Sequence, residues 1–209
     1  MEHPLNQADY SMMNGFICKS RLVRRMPRMA CILLFAGLVA WGQCPANPEE
    51  DAATLETRLK AVSLFKFASY VDWPEQAFPD PAYPITIAVM DGEAIVSELT
   101  RMVAGRTAQG RPVRIKRVHA GEAVTGVHIL FVGADEAGKL ERMADVARMH
   151  SILTVTDFTG GLARGGVINF VLAERRLRFE IALDTAQKSG LKLSSRLLDV
   201  ALRVDTGGR

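Results

Sequence analysis

Asp157 follows a buried strand, Ile152 to Thr156, and opens the turn Phe158-Thr159-Gly160-Gly161. A carboxylate at the end of a buried strand is the best single acid for a binding or reactive site in this chain. The plainer reading is that Asp simply suits a turn. The loop that follows, GGLARGG (Gly160 to Gly166), can present backbone amides to an anion with help from Arg164. Its alternative role is a tight reversal in which glycine supplies positive φ. Further on, Arg178 and Glu180 alternate with Phe179 and Ile181, so they share a strand face and can form a cross-strand pair. Asn169 interrupts an apolar strand and requires a partner if it is buried. Arg164, Asn169, Arg178 and Glu180 therefore form a candidate surface or polar network, to which Trp73 and Asp157 are added. Trp73 lies with Phe65, Phe67 and Tyr70 at helical spacing, which suits a ligand cage but suits core packing better.

Other chemistry is hard to assemble. His119, His128 and His150 belong to no HExxH-type pattern, and no cysteine follows Cys44 to complete a zinc site. There is no GxSxG elbow, no SxxK and no P-loop. MDGEA (Met90 to Ala94) follows a strand but has one glycine where a phosphate-binding turn wants several. The expectation is a protein without catalytic residues, metal or cofactor.

The elements that hold these residues read clearly from Thr54 onward. Leu55, Leu59, Val62, Phe65 and Ser69 mark one face of a helix from Thr54 to Asp72, widened by Ala61, Leu64, Ala68 and Val71. Pro74 biases Trp73 out of helical geometry and stops it. Ile85–Met90 is uniformly apolar, as a parallel strand covered on both faces should be. Ala94–Val103 is a short helix, Val113–Val118 a half-exposed edge strand carrying Arg114, Lys116 and Arg117, and Val127–Val132 the central strand. Glu136–Met149 is a helix, and Ile152–Thr156 a buried strand. Val167–Leu172 and Leu177–Leu183 leave no room for a crossover, so they pair as an antiparallel hairpin, with a loop longer than Glu174-Arg175. Asp184 caps a short helix ending at Gly190, and Ser194 or Ser195 caps Arg196–Arg203. The fold class is α/β: a three-layer, mixed but mostly parallel sheet with helices on both faces and a C-terminal antiparallel hairpin.

A chain of 209 residues with 48% hydrophobic composition supports one sizeable core. The net charge of +3 comes from the first 46 residues, which hold five bases and two acids. The rest is formally neutral, so nucleic acid is not an expected partner. Arg21 to Arg28, the apolar run Ala30 to Trp41 and the small residues Ala40 and Gly42 make a cleavable secretory signal. That run is shorter than the roughly 17 to 25 residues of a membrane span. The organisation is a leader over 1–42, a flexible mature N-terminus over 43–53, one domain over 54–204 and a disordered tail over 205–209. The protein is thus expected in the periplasm with no stable membrane span after processing. Cys18, Cys31 and Cys44 lie in or beside the leader, leaving no internal disulfide and one thiol through which a homodimer could form.

Two stretches carry a resemblance. GLARGGVINFVL followed by RLRFEIALDTAQKSGLKLSSRLL is similar to the C-terminal signature of the YfiR/HmsC-like periplasmic proteins, and LKAVSLFKFASYVDWPEQAF (Leu59 to Phe78) resembles their first helix with its Trp-Pro stop. The likeness runs from about Leu55 to Val204. It implies a regulatory protein that binds the periplasmic domain of an inner-membrane signalling protein, typically a diguanylate cyclase, and represses cyclic-di-GMP output and biofilm formation. Some relatives accompany a histidine kinase or an outer-membrane receptor. Relatives that carry cysteine pairs in the domain differ from this chain, so no redox switch is carried over. A second class of function is a periplasmic small-molecule receptor using the aromatics near Trp73 or the Gly160–Gly166 loop.

Overall fold

The computed structural model describes residues 48–90, 92–119 and 121–207. The leader over 1–42, the three cysteines, residues 43–47 of the expected flexible segment, Asp91, Gly208 and Arg209 lie outside the described residues. The chain starts with helix α1 (Pro48–Tyr70), which runs into a two-residue strand β1 (Val71–Asp72). The helix ends two residues earlier than expected because Val71 and Asp72 pair antiparallel with Leu193 and Lys192 of β9 (Lys192–Leu193). It also begins at Pro48, within the stretch expected to be flexible.

Strand β2 (Ile85–Met90) leads through α2 (Glu93–Val103) and the short β3 (Thr107–Ala108) to β4 (Arg111–Val118). Strand β5 (Ile129–Val132) leads through a 3-10 turn and α3 (Ala137–Met149) to β6 (Leu153–Thr156). After the glycine loop come β7 (Ile168–Ala173), β8 (Arg176–Ala182), α4 (Leu183–Lys188), β9, α5 (Ser195–Asp199) and β10 (Arg203–Asp205). The main sheet has the order β10-β8-β7-β6-β5-β2-β4-β3. From β4 to β7 every pairing is parallel. The expected hairpin is β7 against β8, and β10 adds a parallel strand beyond it.

The sheet is mostly parallel, with helices on both faces. Ile85, Ile87 and Val89 of β2 point to one face, with Ile129 and Phe131 of β5, Leu153 and Val155 of β6, and the buried sides of α1, α2, α4 and α5. Ala88, Met90, Leu130 and Val132 point to the other, where Leu140 and Ala147 of α3 cover them. The period-two alternation of a doubly covered strand thus divides a continuous apolar run between two cores.

Several local expectations need correction. The buried side of α1 is Ala61, Leu64, Phe67 and Ala68, whereas Leu55, Leu59 and Val62 are exposed and Ser69 faces solvent. Small residues at 61 and 68 let the helix axis approach the sheet, so they decide the rotation over larger side chains. The β7–β8 loop is only Glu174-Arg175, because Ala173 pairs with Arg176. Both turn residues take left-handed geometry, φ 51° and 60°. This is the twist-matched conformation of a two-residue hairpin, imposed by strand pairing on residues that do not prefer it. Asp184 does not cap α4; it sits in the first turn and pairs with Lys188 at 2.6 Å. Ser194 caps α5, accepting from the Leu197 amide at 3.3 Å. The last helix ends at Asp199, and Arg203, expected in it, starts β10; Asp205, expected in a disordered tail, ends that strand. Strand β4 is one in from the edge, bordered by β3.

Candidate functional site

The parallel strands follow the order β4-β2-β5-β6-β7, in which β2 and β5 are neighbours and their helical connections, to β4 and to β6, leave in opposite directions. Helix α2 crosses over one face to reach β4, and α3 crosses over the other to reach β6. The carboxyl ends of β2 and β5 therefore lie at a topological switch point, where diverging connections open a crevice. That crevice holds about 470 Å³ and is lined by Thr57, Met90, Glu93, Phe131, Asp135 and Asp157, among others.

Asp157 sits here because β6 ends at Thr156, one strand over from β5. Its Oδ2 accepts from Lys60 Nζ at 2.7 Å, and Lys60 is also 2.6 Å from Glu56 Oε1, one turn back on α1. The Asp157 and Lys60 side chains are only 14% and 13% exposed, and Asp157 Oδ1 is buried with no hydrogen bond. Burial pulls the Lys60 ammonium toward lower pKa. The hydrogen bonds and charges of Asp157 and Glu56 outweigh it, so Lys60 titrates above the usual lysine value and stays cationic. At the rim, Glu136 pairs with Lys139 and Glu93 with Arg117. The structure thus joins Asp157 to Lys60, a helix residue that was not among the candidate site residues.

The other candidates fall elsewhere. Asn169 and Glu180 are directly opposite in the hairpin and line a second, polar cavity of about 290 Å³. Asn169 is buried, and its Oδ1 accepts from the Thr156 hydroxyl at 2.7 Å. Glu180 pairs with Arg203 of β10 at 3.2 Å, in place of Arg178, which lies opposite Val171. Arg164 is on the α3 side, 3.7 Å from Glu141. The glycine loop is fastened to β6. Thr154 Oγ1 accepts from the Val167 amide and donates to the Gly165 carbonyl, both at 3.0 Å. A Cβ at Gly161 would stand 2.1 Å from Thr156 Oγ1, and Gly165 has φ 98°. Glycine here answers close packing and a left-handed turn.

Trp73 is 8% exposed, packs edge-on to Phe78 and His128, and donates from Nε1 to the His128 carbonyl at 3.2 Å. His128 is itself buried, with Nδ1 accepting from the Thr86 amide at 3.1 Å and Nε2 lying 3.2 Å from the Ala77 carbonyl. It is a neutral imidazole with both nitrogens used, and burial lowers its pKa below the usual histidine value. Among the described residues no group of three or more His, Cys, Asp or Glu side chains could hold a metal ion.

Among solved structures, a conserved domain protein of Vibrio cholerae O1 biovar eltor is similar at 13% identity and a TM-score of 0.43, over 57% of this chain and 54% of that one. The alignment spans about half of that protein's length. The sequence model of the YfiR/HmsC-like family matches residues 57–202, a span that takes in α1 from its third turn, the switch-point crevice, the glycine loop and the terminal hairpin. The chain belongs to the YfiR/HmsC-like family.

Proposed function

We propose that this protein is a periplasmic regulator that binds the periplasmic sensor region of an inner-membrane signalling protein and holds it in its inactive state. The favoured partner is a diguanylate cyclase, so that binding lowers cyclic-di-GMP synthesis and biofilm formation. The observation that carries this reading is the family match over residues 57–202, and the secretory pattern of the leader agrees with it. Among the described residues no helix is long and apolar enough to cross a membrane.

Repression of this kind needs no reactive group. It needs a surface that meets one state of the sensor better than the other. Moving a sensor from 99% active to 99% inactive takes about a 10⁴-fold preference, about 5.5 kcal/mol. Leu55, Leu59 and Val62, spaced along one side of α1, are 57%, 42% and 37% exposed and offer an apolar surface for such a contact.

The test is capture of membrane proteins from the native host by the exported protein, with mass spectrometry of what is retained and cyclic-di-GMP measured in a deletion strain. Retention of a cyclase-bearing sensor together with raised cyclic-di-GMP supports the proposal. A deletion strain with unchanged cyclic-di-GMP, and capture of a kinase or receptor, would replace the pathway.

A further inference from the structure

On the face of the sheet that α1 covers, three elements meet without closing. Helix α1 brings Phe67, β8 brings Phe179 and α5 brings Leu197. Phe67 and Leu197 are buried, and Phe67 meets Phe179 edge-on at 5.3 Å between centroids. Phe179 itself is only partly covered, and the path of the chain explains why. Helix α5 is five residues long. Beyond it the backbone must reach the edge of β8, where the Leu202 amide donates to the Phe179 carbonyl at 2.8 Å and β10 pairs from Glu180 onward. The helix therefore ends before it can cover the ring. What remains is a groove of about 350 Å³, lined also by Val200, which is 57% exposed.

The charge on this groove has one sign. Lys66 from α1 and Arg196 from α5 line it, and no acidic side chain does. Neither cation forms an ion pair or hydrogen bond with another described residue. Lys60, Lys139, Lys188 and Arg203, by contrast, each pair with a carboxylate. The Tyr70 hydroxyl, one helical turn on from Lys66 and also in the lining, has no partner among the described residues either. Lysine and arginine lay their alkyl stems along apolar surface and hold their heads at its edge. An apolar trough with charged donors at its edge matches an amphiphile with an anionic head. A tailless anion would leave Phe179 and Val200 in water, and a neutral apolar molecule would leave both cations without a partner.

The shape favours a chain over a ring. Leu59 and Val62 stand one turn before Ser63 and Lys66 on the same side of α1, so its exposed apolar side continues the groove lengthwise. A compact ring would fill only the part beside Phe67 and Phe179. At about 30 Å³ per heavy atom, the share of one water molecule in the liquid, the groove takes about a dozen heavy atoms, the size of decanoate. We propose that this groove binds a medium-chain fatty acid anion. The alkyl chain lies along Phe67, Phe179 and Val200, and the carboxylate pairs with Lys66 and Arg196. Of the aromatics at helical spacing on α1, Phe67 and Tyr70 line this groove and Phe65 and Trp73 do not, so it is distinct from a cage around Trp73. The inference goes beyond the partner reading and rests on none of it.

The test titrates the purified exported protein with decanoate below its micelle concentration, read by calorimetry and thermal shift. Acetate, decylammonium and phenylacetate serve as counter-probes. The expected result is saturable decanoate binding that raises Tm. Acetate and decylammonium should not stabilise, and phenylacetate should bind more weakly than decanoate. Octanoate, two methylenes shorter, should bind about fifteenfold more weakly. Lys66→Glu combined with Arg196→Glu changes two exposed positions, so it should keep parental stability and weaken decanoate binding by about tenfold or more. Val200→Trp fills the groove from an exposed position without changing charge and should abolish binding. Absence of saturable binding and of any rise in Tm with decanoate would overturn the proposal. So would decylammonium binding as well as decanoate, phenylacetate binding more tightly, decanoate affinity unchanged in the double variant, or binding that survives Val200→Trp.

Discussion

His128 should make the stability of this domain fall on mild acidification, by an amount that a single variant isolates. The ring is 1% exposed and stacked on Phe78 at 4.6 Å between centroids. Its Nδ1 accepts from the Thr86 amide, so Nε2 carries the proton toward the Ala77 carbonyl. Protonating Nδ1 would set an N–H against an N–H and charge a ring that burial disfavours; the Ala77 carbonyl opposes this shift, and the nearby Arg111 charge reinforces it. The folded pKa therefore lies below the unfolded value of about 6.5. Above pH ~6.5 both states are neutral and stability is full. As pH falls through 6.5 the unfolded chain takes up the proton first, and stability drops by up to about 1.4 kcal/mol per pH unit until the folded pKa is reached. Between pH 6.5 and 5 the loss is at most about 2 kcal/mol. His128→Phe keeps the stacking but strands the Thr86 amide and the Ala77 carbonyl, which costs about 2 to 4 kcal/mol at pH 7.5. The variant has no such proton to gain, so its deficit relative to the parent should shrink at pH 5. Urea unfolding of both proteins at the two pH values measures this. His119 and His150 are exposed and present in both chains, so they cancel in the difference. A deficit equal at pH 7.5 and pH 5 would refute the reasoning.

Three further outcomes are expected. Gly161→Ala places a methyl 2.1 Å from Thr156 Oγ1 and 2.7 Å from Asn169 Oδ1, so chemical unfolding should show a loss above about 2 kcal/mol as the loop is pushed off β6. Thr156→Val keeps the shape of β6 but leaves the Asn169 carbonyl without its 2.7 Å donor; a loss of about 1 to 3 kcal/mol in the same assay is expected. Leu59→Lys lies on an exposed helix position, so the unfolding free energy should change by no more than about 0.5 kcal/mol while partner capture from membranes weakens. A destabilised Leu59→Lys chain would show instead that this side of α1 is packed.

What could be read from the sequence follows from how each element is specified. Ile85–Met90 and Val127–Val132 are covered on both faces, so burial leaves an unbroken apolar run that needs no partner to be recognised. Helix α1 is different. Ala61, Leu64 and Ala68 on one side and Leu55, Leu59 and Val62 on the other leave its rotation undetermined by hydrophobicity, and close approach to the sheet settles it. Strand β10 was illegible because three residues carry no period; it exists through pairing with Glu180, Ile181 and Ala182. The site divides in the same way. Asp157 was visible because a strand end and a turn are local patterns, whereas Lys60 stands 97 residues away and reads alone as one more charge on a helix. Its meaning appears only when the helix is rotated: the turn of α1 that brings Ala61 and Leu64 onto the core also swings Glu56, Thr57 and Lys60 over the ends of β2, β5 and β6. The packing preference of two small or apolar residues thereby fixes the position of the buried ion pair. Enlarging Ala61 should therefore disturb the Lys60–Asp157 contact as well as the core, coupling stability to the crevice through a single rotation of the helix.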